Sequence, residues 1–262
     1  MPELPDVAVF KKYLDSTALH QKIKRLEVKE KRVLESVSAE KLRDRLAGAS
    51  FEKSCRHGKY LFIETDGRGH LVLHFGMAGF LKYFKDMEKE PDHARLLVAF
   101  SNGYHLAFDC QRMFGQVAWV DSMTDYIEEK RLGPDALSSD LSFTDFRERF
   151  FKSGAMIKSA LMNQSLIAGI GNIYSDEILF QAGIHPKTKP KELDEDRLRK
   201  LYDTMRKVLE TAIKHRADPE AMPNHFMLPH RTKGEKCPGC GGEIEKEKIA
   251  SRTAYFCPKC QR

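Results

Sequence analysis

The sequence lacks the long apolar runs, leader segments and repeats that mark membrane, secreted and fibrous proteins. No apolar stretch among its 262 residues approaches the roughly 20 residues needed to span a bilayer. The N-terminal MPELPDVAVF contains no basic segment followed by an apolar one, so no secretory signal is predicted. Hydrophobic residues make up 41% and charged residues 31% of the chain, a composition typical of soluble globular proteins. We therefore expect a cytoplasmic protein.

Acidic residues are fewer than basic residues. The chain has 44 Lys and Arg against 38 Asp and Glu, which gives a net charge of +6. Eight of these cations but only four Glu lie between Met222 and Arg262, so this arm carries +4 of the total. A basic arm of this kind is typical of nucleic-acid-binding proteins, although a solvated surface would give the same count.

Secondary-structure patterns divide the chain into three blocks. A helix is predicted over 5–19, because Pro5 is tolerated in a first helical turn. Short strand patterns and turn signals follow, and they favour an antiparallel sandwich or barrel. The strands are predicted at 22–30, 60–65, 70–75, 95–100, 104–109 and 116–120, with turns at DGRG (66–69) and SNG (101–103).

Helical periodicity replaces the strand pattern after Gly133-Pro134. Helices are predicted over 143–152, 156–163, 173–182 and 192–215. The fold class is therefore α+β and multidomain. We predict a β-rich domain over 1–130, a helical domain over 131–222 and a basic loop with a cysteine hairpin over 223–262.

Four of the six cysteines form two C-x-x-C pairs, which are Cys237 with Cys240 and Cys257 with Cys260. Each pair places two thiolates on one tight turn, and two such turns complete a tetrahedral zinc site. Disulfides are disfavoured in a reducing cytosol. Because four thiolates leave no open coordination position, the predicted zinc ion is structural.

Six segments together resemble the formamidopyrimidine-DNA glycosylase/endonuclease VIII family of DNA repair enzymes, in order along the whole chain. They are MPELPD (1–6), HGKYL (57–61), HFGMAG (74–79), RMFG (112–115), NQSLIAGIGNIYSDE (163–177) and SRTAYFCPKCQR (251–262). The resemblance implies an N-terminal β-sandwich, a helix–two-turn–helix domain, a zinc hairpin and damaged double-stranded DNA as the partner. We expect a monomer.

The resemblance implies that Pro2, Glu3 and Lys59 are catalytic. Removal of Met1 exposes the Pro2 amine, whose pKa near 8 lies below the roughly 10.4 of lysine, so more of it is neutral and nucleophilic at pH 7. Attack on C1′ would displace the damaged base and leave a cationic imine that drives strand elimination. Glu3 is then the acid/base partner, and Lys59 contacts the phosphate beside the lesion. Asp6 stands where the family usually has a glutamate, and the resemblance places this shorter carboxylate at the lesion pocket.

Base excision from a duplex requires the damaged nucleotide to be flipped out and the gap to be filled. Met77, Arg112 and Phe114 match the residues that do this in the formamidopyrimidine branch, although Met113 stands where a second arginine is usual. Arg252 matches an arginine that holds the flanking phosphates, His74 is a weaker phosphate candidate, and Glu177 is expected to face the lesion pocket.

The segment Gly169-Ile-Gly171-Asn172 predicts a phosphate site of its own. A glycine turn followed by an Asn N-cap would leave backbone N–H groups free at a helix start. We therefore predict phosphate contacts from Asn172 and from Lys158 upstream. A dinucleotide-binding fingerprint is disfavoured because its third glycine and preceding strand are missing.

Three alternatives stay open at the level of sequence. The Met77, Arg112 and Phe114 set favours oxidised purines such as 8-oxoguanine, whereas LPHRTKGEKC (228–237) departs from the purine branch and leaves oxidised pyrimidines open. A non-catalytic damaged-DNA-binding relative is the second alternative. A zinc-ribbon protein that binds RNA is the third, and it gives no reason for the N-terminal segment.

Overall fold

The structure is a computed structural model that describes residues 1–67 and 69–262. Its backbone contacts divide the chain into two compact units. The first unit comprises Met1–Pro2 and Asp6–Lys130, and the second comprises Glu3–Pro5 and Arg131–Arg262. The predicted turn at 66–69 includes Arg68, which lies outside the described residues.

The first unit is a β-sandwich with three short helices. The helices are α1 (Leu4–Thr17), α2 (Ala39–Leu46) and α3 (Met123–Glu129). The strands are β1 (Ile23–Val28), β2 (Leu34–Glu35), β3 (Phe51–His57), β4 (Tyr60–Thr65), β5 (Gly69–His74), β6 (Phe80–Phe84), β7 (Ala94–Phe100), β8 (His105–Asp109) and β9 (Gln116–Val120).

These strands form two sheets, with orders β2-β9-β5-β4-β3 and β1-β7-β8-β6. The pairs are antiparallel apart from β2 and β9, which are parallel over two residues. Alternate residues of both sheets meet in one core, for example Leu71 and Leu73 with Val98 and Leu106. The sandwich prediction is confirmed. The outer face of the five-stranded sheet is also covered, because Tyr126 of α3 packs on Phe62, which explains the nearly continuous apolar run of β4.

The second unit contains four helices and one hairpin. They are α4 (Phe143–Ser153), α5 (Ile157–Met162), α6 (Asn172–Ala182), α7 (Glu195–Lys214), β10 (Glu245–Ile249) and β11 (Arg252–Phe256). Two of these helices are capped by the side chain of their own N-cap residue. Ser142 accepts from the Asp145 N–H at the start of α4, and Asp194 accepts from the Arg197 N–H at the start of α7. Gly154 ends α4 in the left-handed conformation.

Helix α6 lies at the centre of the second unit. It is buried on every side from Tyr174 to Phe180, whereas α7 buries only its apolar stripe. A helix that is buried all round needs partners for its polar side chains, and α6 carries three of them in succession, Ser175, Asp176 and Glu177. Among the helices of the described chain, none is long and apolar enough to cross a membrane.

Candidate active site

The carboxylate of Glu3 caps the N-terminus of α6. Its Oε2 accepts hydrogen bonds from the backbone N–H groups of Gly171 at 2.7 Å and Tyr174 at 3.2 Å, and its Oε1 accepts one from Ile173 at 2.8 Å. Glu3 is only 1% exposed. The partial positive charge at the helix start therefore holds an anionic side chain in one orientation.

The two glycines before α6 make room for the N-terminal segment. A Cβ on Gly171 would lie 2.4 Å from the carboxylate of Glu3, and a Cβ on Gly169 would lie 2.6 Å from the side chain of Leu4. Gln164 fixes the turn, since its amide donates to the carbonyl of Ile170 and accepts from the N–H of Gly169. The turn therefore leaves space for Glu3 and Leu4 only because both of these positions are glycine.

This arrangement corrects the phosphate site that the glycine pattern predicted. The N-cap residue is Gly171 rather than Asn172, and glycine has no side chain of its own that could cap the helix. The N–H groups expected to be free donate to Glu3 instead. The phosphate contact of Asn172 stays a prediction. The Oδ1 atom of Asn172 is buried and accepts no hydrogen bond within the described parts of the chain.

The predicted phosphate contact of Lys158 is the second prediction that the structure corrects. Its ammonium group donates to Asp176 at 2.6 Å, to the hydroxyl of Ser175 at 2.9 Å and to the carbonyl of Asn172 at 3.2 Å. An ammonium group has three N–H donors, so all of them are used, and the side chain is 1% exposed. Burial lowers the pKa of Lys158, and Asp176 opposes that shift. These contacts contradict the predicted phosphate contact.

Glu177 is likewise buried, with its carboxylate bonded inside the second unit. Its carboxylate accepts from the backbone N–H groups of Met227 at 3.2 Å and Leu228 at 2.8 Å, and from the side chain of Gln181 at 2.8 Å. The residue is fully buried. Glu177 therefore fastens the segment before the zinc hairpin to α6, which contradicts the prediction that it faces the lesion.

Burial raises the pKa of Glu177 to about 7, and the three hydrogen bonds partly oppose this shift. Because this pKa lies above that of the unfolded chain, Glu177 stabilises the fold fully at low pH and loses that contribution as the pH rises through 7. We expect the difference in unfolding free energy between wild type and Glu177→Gln to fall by about 2 kcal/mol from pH 5 to pH 8. Denaturant titrations at four pH values measure it, and a constant difference would contradict the assignment.

In the first unit, Lys59 lies in the turn between β3 and β4, and His74 lies on β5, the neighbour of β4. Lys59 follows the turn residue Gly58, which has a φ of +56°, and it is only 7% exposed. His74 ends β5 directly opposite Tyr60. Burial, followed by the positive charge of Lys59, lowers the pKa of His74 to about 4, so the imidazole is neutral at pH 7. The phosphate roles of both residues stay predictions.

The three predicted gap-filling residues lie on two adjoining loops of the first unit. Met77, Arg112 and Phe114 are all exposed, Phe114 by 59%. The loops touch along their backbones, because a Cβ on Gly76 would lie 2.3 Å from the carbonyl carbon of Phe114. Met113, between Arg112 and Phe114, turns inward with a φ of +57° and packs on the sandwich core. It therefore anchors the loop where the family usually has an arginine.

The four predicted zinc ligands converge at the base of the hairpin. All four sulfur atoms lie within 4.8 Å of one another, and the Cys237–Cys260 and Cys240–Cys257 separations are 3.7 and 3.5 Å. A tetrahedron with Zn–S bonds of about 2.3 Å has edges of about 3.8 Å, so these cysteines fit the ion. The structural zinc prediction is confirmed.

The zinc hairpin presents Arg252 at its tip. Ile249 pairs with Arg252 across a two-residue turn, in which Ala250 and Ser251 have φ values of 45° and 67°. Arg252 is exposed. Phe180 of α6 packs with Cys237 and Cys257, which seats the hairpin on the central helix.

Sequence reasoning missed Gln164, Asp176 and Arg231. Asp176 is buried between Lys158 and Arg231, and the run Ser175-Asp176-Glu177 inside an otherwise apolar helix was the available signal. Pro2 and Asp6 both belong to the first unit, and Asp6 is half-buried near the start of α1. Their roles stay predictions.

A β-sandwich, a helical region and a four-cysteine hairpin, with a carboxylate after Pro2 capping a buried helix, define a DNA glycosylase with abasic-site lyase activity. Family profiles match residues 1–117 (formamidopyrimidine-DNA glycosylase N-terminal domain), 132–221 (its H2TH domain) and 234–262 (a zinc finger found in FPG and IleRS). The chain belongs to the formamidopyrimidine-DNA glycosylase family.

Individual relatives match over the whole length. The formamidopyrimidine-DNA glycosylase of Heliobacterium modesticaldum is 33% identical over 277 residues, with 100% of each chain covered. That of Lactococcus lactis subsp. cremoris is 33% identical over 275 residues, again with 100% of each covered. Wild-type Lactococcus lactis Fpg, solved with DNA containing N7-benzyl-Fapy-dG, has a TM-score of 0.91 at 32% identity, with 100% of each chain covered.

Proposed function

We propose that this enzyme excises oxidised bases from double-stranded DNA through Pro2 and then cleaves the abasic site by β,δ-elimination. Pro2 attacks C1′, the glycosidic bond breaks, and the base leaves with the bonding electron pair. The Pro2 nitrogen loses its proton, and the C1′–O4′ bond breaks as O4′ takes up a proton, which opens the sugar and leaves an iminium between C1′ and Pro2. This iminium accepts electrons as the C2′ proton is lost and the 3′ phosphate departs, and elimination of the 5′ phosphate follows. Related structures with abasic-site and formamidopyrimidine-containing DNA support this proposal.

The observation that carries the proposal is the fixed carboxylate next to the nucleophile in the chain. Glu3 follows Pro2 directly, and three backbone N–H groups hold both of its oxygen atoms. Proton transfer to and from the sugar benefits from a carboxylate that does not need to reorient. The other proposed catalytic residue is Lys59, and the proposed DNA contacts are His74, Met77, Arg112, Phe114, Asn172 and Arg252. We expect the enzyme to act as a cytoplasmic monomer. The domain division 1–130, 131–222 and 223–262 belongs to the same proposal.

Borohydride trapping tests the nucleophile. Protein from which Met1 has been removed, as verified by mass spectrometry, should form a covalent complex with abasic duplex DNA on reduction. Pro2→Gly should lower adduct formation by at least about 100-fold, because it replaces the secondary amine held in the proline ring by a primary amine on a flexible residue, which is a weaker and less fixed nucleophile. Wild-type protein that gives no adduct would contradict the proposal.

Oxidised purines are the proposed substrates, and oxidised pyrimidines are the second candidate. Exposed Met77, Arg112 and Phe114 on adjoining loops support the first. The second is supported by the segment after Met227, which departs from the purine branch and is tied to α6 by Glu177. Duplexes with one 8-oxoguanine or one 5-hydroxycytosine separate the two in single-turnover excision assays. Faster excision of 5-hydroxycytosine would reverse the assignment.

A further inference from the structure

A buried charge cluster surrounds Asp176 in the second unit. Its Oδ1 accepts from Lys158 Nζ at 2.6 Å, and its Oδ2 accepts from Arg231 Nη2 at 2.7 Å and Nε at 3.0 Å. The side chains of Lys158 and Asp176 are at most 1% exposed, and that of Arg231 is 18% exposed. Two cations therefore share one carboxylate. Two buried cations beside one carboxylate need further hydrogen-bond acceptors for their remaining N–H groups.

The carbonyl oxygen of Asn172 is such an acceptor. Lys158 Nζ lies 3.2 Å from it and Arg231 Nη2 lies 3.5 Å from it. This carbonyl shares its peptide group with the N–H of Ile173, which donates to Glu3 Oε1 at 2.8 Å. A peptide group is planar, so cations that orient its carbonyl end also orient its N–H end. Polarising the carbonyl also strengthens the N–H as a donor.

Arg231 joins this peptide to the zinc hairpin. It lies in the segment between α7 and β10, and its guanidinium stacks on the ring of Tyr255 in β11, 4.6 Å from the ring centroid. One planar group therefore contacts Asp176, the Asn172 carbonyl and the hairpin together. Lysine could not reproduce this, because an ammonium group lacks the fork that bonds a carboxylate through two nitrogen atoms.

We propose that Arg231 is a positioning residue for Glu3, acting through the Asn172–Ile173 peptide together with Lys158 and Asp176. The inference rests on the proposed role of Glu3 and extends it to a residue of the segment before the zinc hairpin. It also gives Lys158 a function in place of the phosphate contact that its burial contradicts.

A double-mutant cycle tests the proposal. We expect Arg231→Met to lower the maximal single-turnover rate of base excision by about 10-fold, with less than about 3-fold change in the DNA concentration at half-maximal rate. In a Glu3→Asp background the shortened carboxylate no longer reaches Ile173, so Arg231→Met should cost less than about 2-fold more. Equal losses in both backgrounds would overturn the proposal.

Lys233→Met is the matched control, because it removes a cation two residues away whose side chain is exposed. Its maximal rate should equal that of wild type. If Arg231→Met fails to fold, Arg231→Lys replaces it and should recover part of the maximal rate, because it restores a single cation near the carbonyl. Zinc loss in a folded Arg231 variant, accompanied by weaker DNA binding at an unchanged maximal rate, would show that Arg231 only anchors the hairpin.

Amide hydrogen exchange provides a readout that does not depend on activity. In Arg231→Met the Ile173 amide should exchange at least about 5-fold faster, while the amides of Leu179 and Phe180 at the far end of α6 keep their wild-type rates. An inactive wild-type enzyme would refute the proposed function and leave this measurement decisive for the coupling. Unchanged Ile173 exchange would refute the coupling alone.

Discussion

Gly171→Ala is expected to leave the protein folded and to lower base excision by at least about 100-fold. The new Cβ would lie 2.4 Å from the carboxylate of Glu3. The backbone of Gly171, at φ −127° and ψ −154°, is extended and suits alanine, so the contact alone causes the effect. Relieving it requires Glu3 to leave the start of α6. We expect a cost of about 1–3 kcal/mol in unfolding free energy, as for other overpacked sites.

Single-turnover excision and thermal unfolding together measure this prediction. Gly239→Ala is the control, because its Cβ would meet no atom closer than 3.6 Å and should leave the excision rate within about 2-fold of wild type. A Gly171→Ala enzyme with the wild-type rate would mean that the position of Glu3 does not limit the reaction.

Cys257→Ser should release the zinc ion and weaken binding to abasic duplex DNA by at least about 30-fold. Structural zinc sites contribute roughly 10–16 kcal/mol to the folding of the segments that hold them. Cys257 is buried at the base of the hairpin and packs in the cluster with Phe180, so its replacement removes both a ligand and a packing contact. Arg252 would then lose its fixed place at the hairpin tip.

Metal analysis and binding titrations measure this second effect. Cys55→Ser is the matched control, since Cys55 is an exposed thiol on β3. It should retain one zinc ion per chain and full affinity. At saturating DNA, the Cys257→Ser protein should still be trapped by borohydride, because Pro2 is unchanged. A metal-free variant with full affinity would refute the role of the hairpin in DNA binding.

The features predicted best from sequence are those fixed by neighbouring residues. Two C-x-x-C pairs specify the zinc site through local turns. Sequence patterns also predicted six strands and five helices close to their observed bounds. Strands β2, β3 and β6 were missed. β2 has only two residues, and neither β3 (FEKSCRH) nor β6 (FLKYF) shows a strict alternation of apolar and polar residues. Helices α2 and α3 were missed as well, although each has a serine N-cap: Ser38 accepts from the Lys41 N–H, and Ser122 accepts from the Asp125 N–H.

The details that sequence could not supply depend on pairs far apart in the chain. The Gly169-Ile-Gly171 turn gives the same local signal whether its N–H groups bind a phosphate or a carboxylate. In the structure these N–H groups bind the carboxylate of Glu3, which lies 168 residues before Gly171 in the sequence. Lys158 and Glu177 have the polarity of surface residues, and only the tertiary packing of α6 shows that both are buried.

The place of Glu3–Pro5 within the second unit has a consequence for how the chain reaches its native state. Leu4 completes a core whose other members lie between Ala136 and Leu228. Closing a loop of that length is entropically costly and slows folding, because the Glu3 cap of α6 joins residues 168 positions apart in the sequence. A truncated product that ends before α6 therefore cannot assemble the Glu3 arrangement.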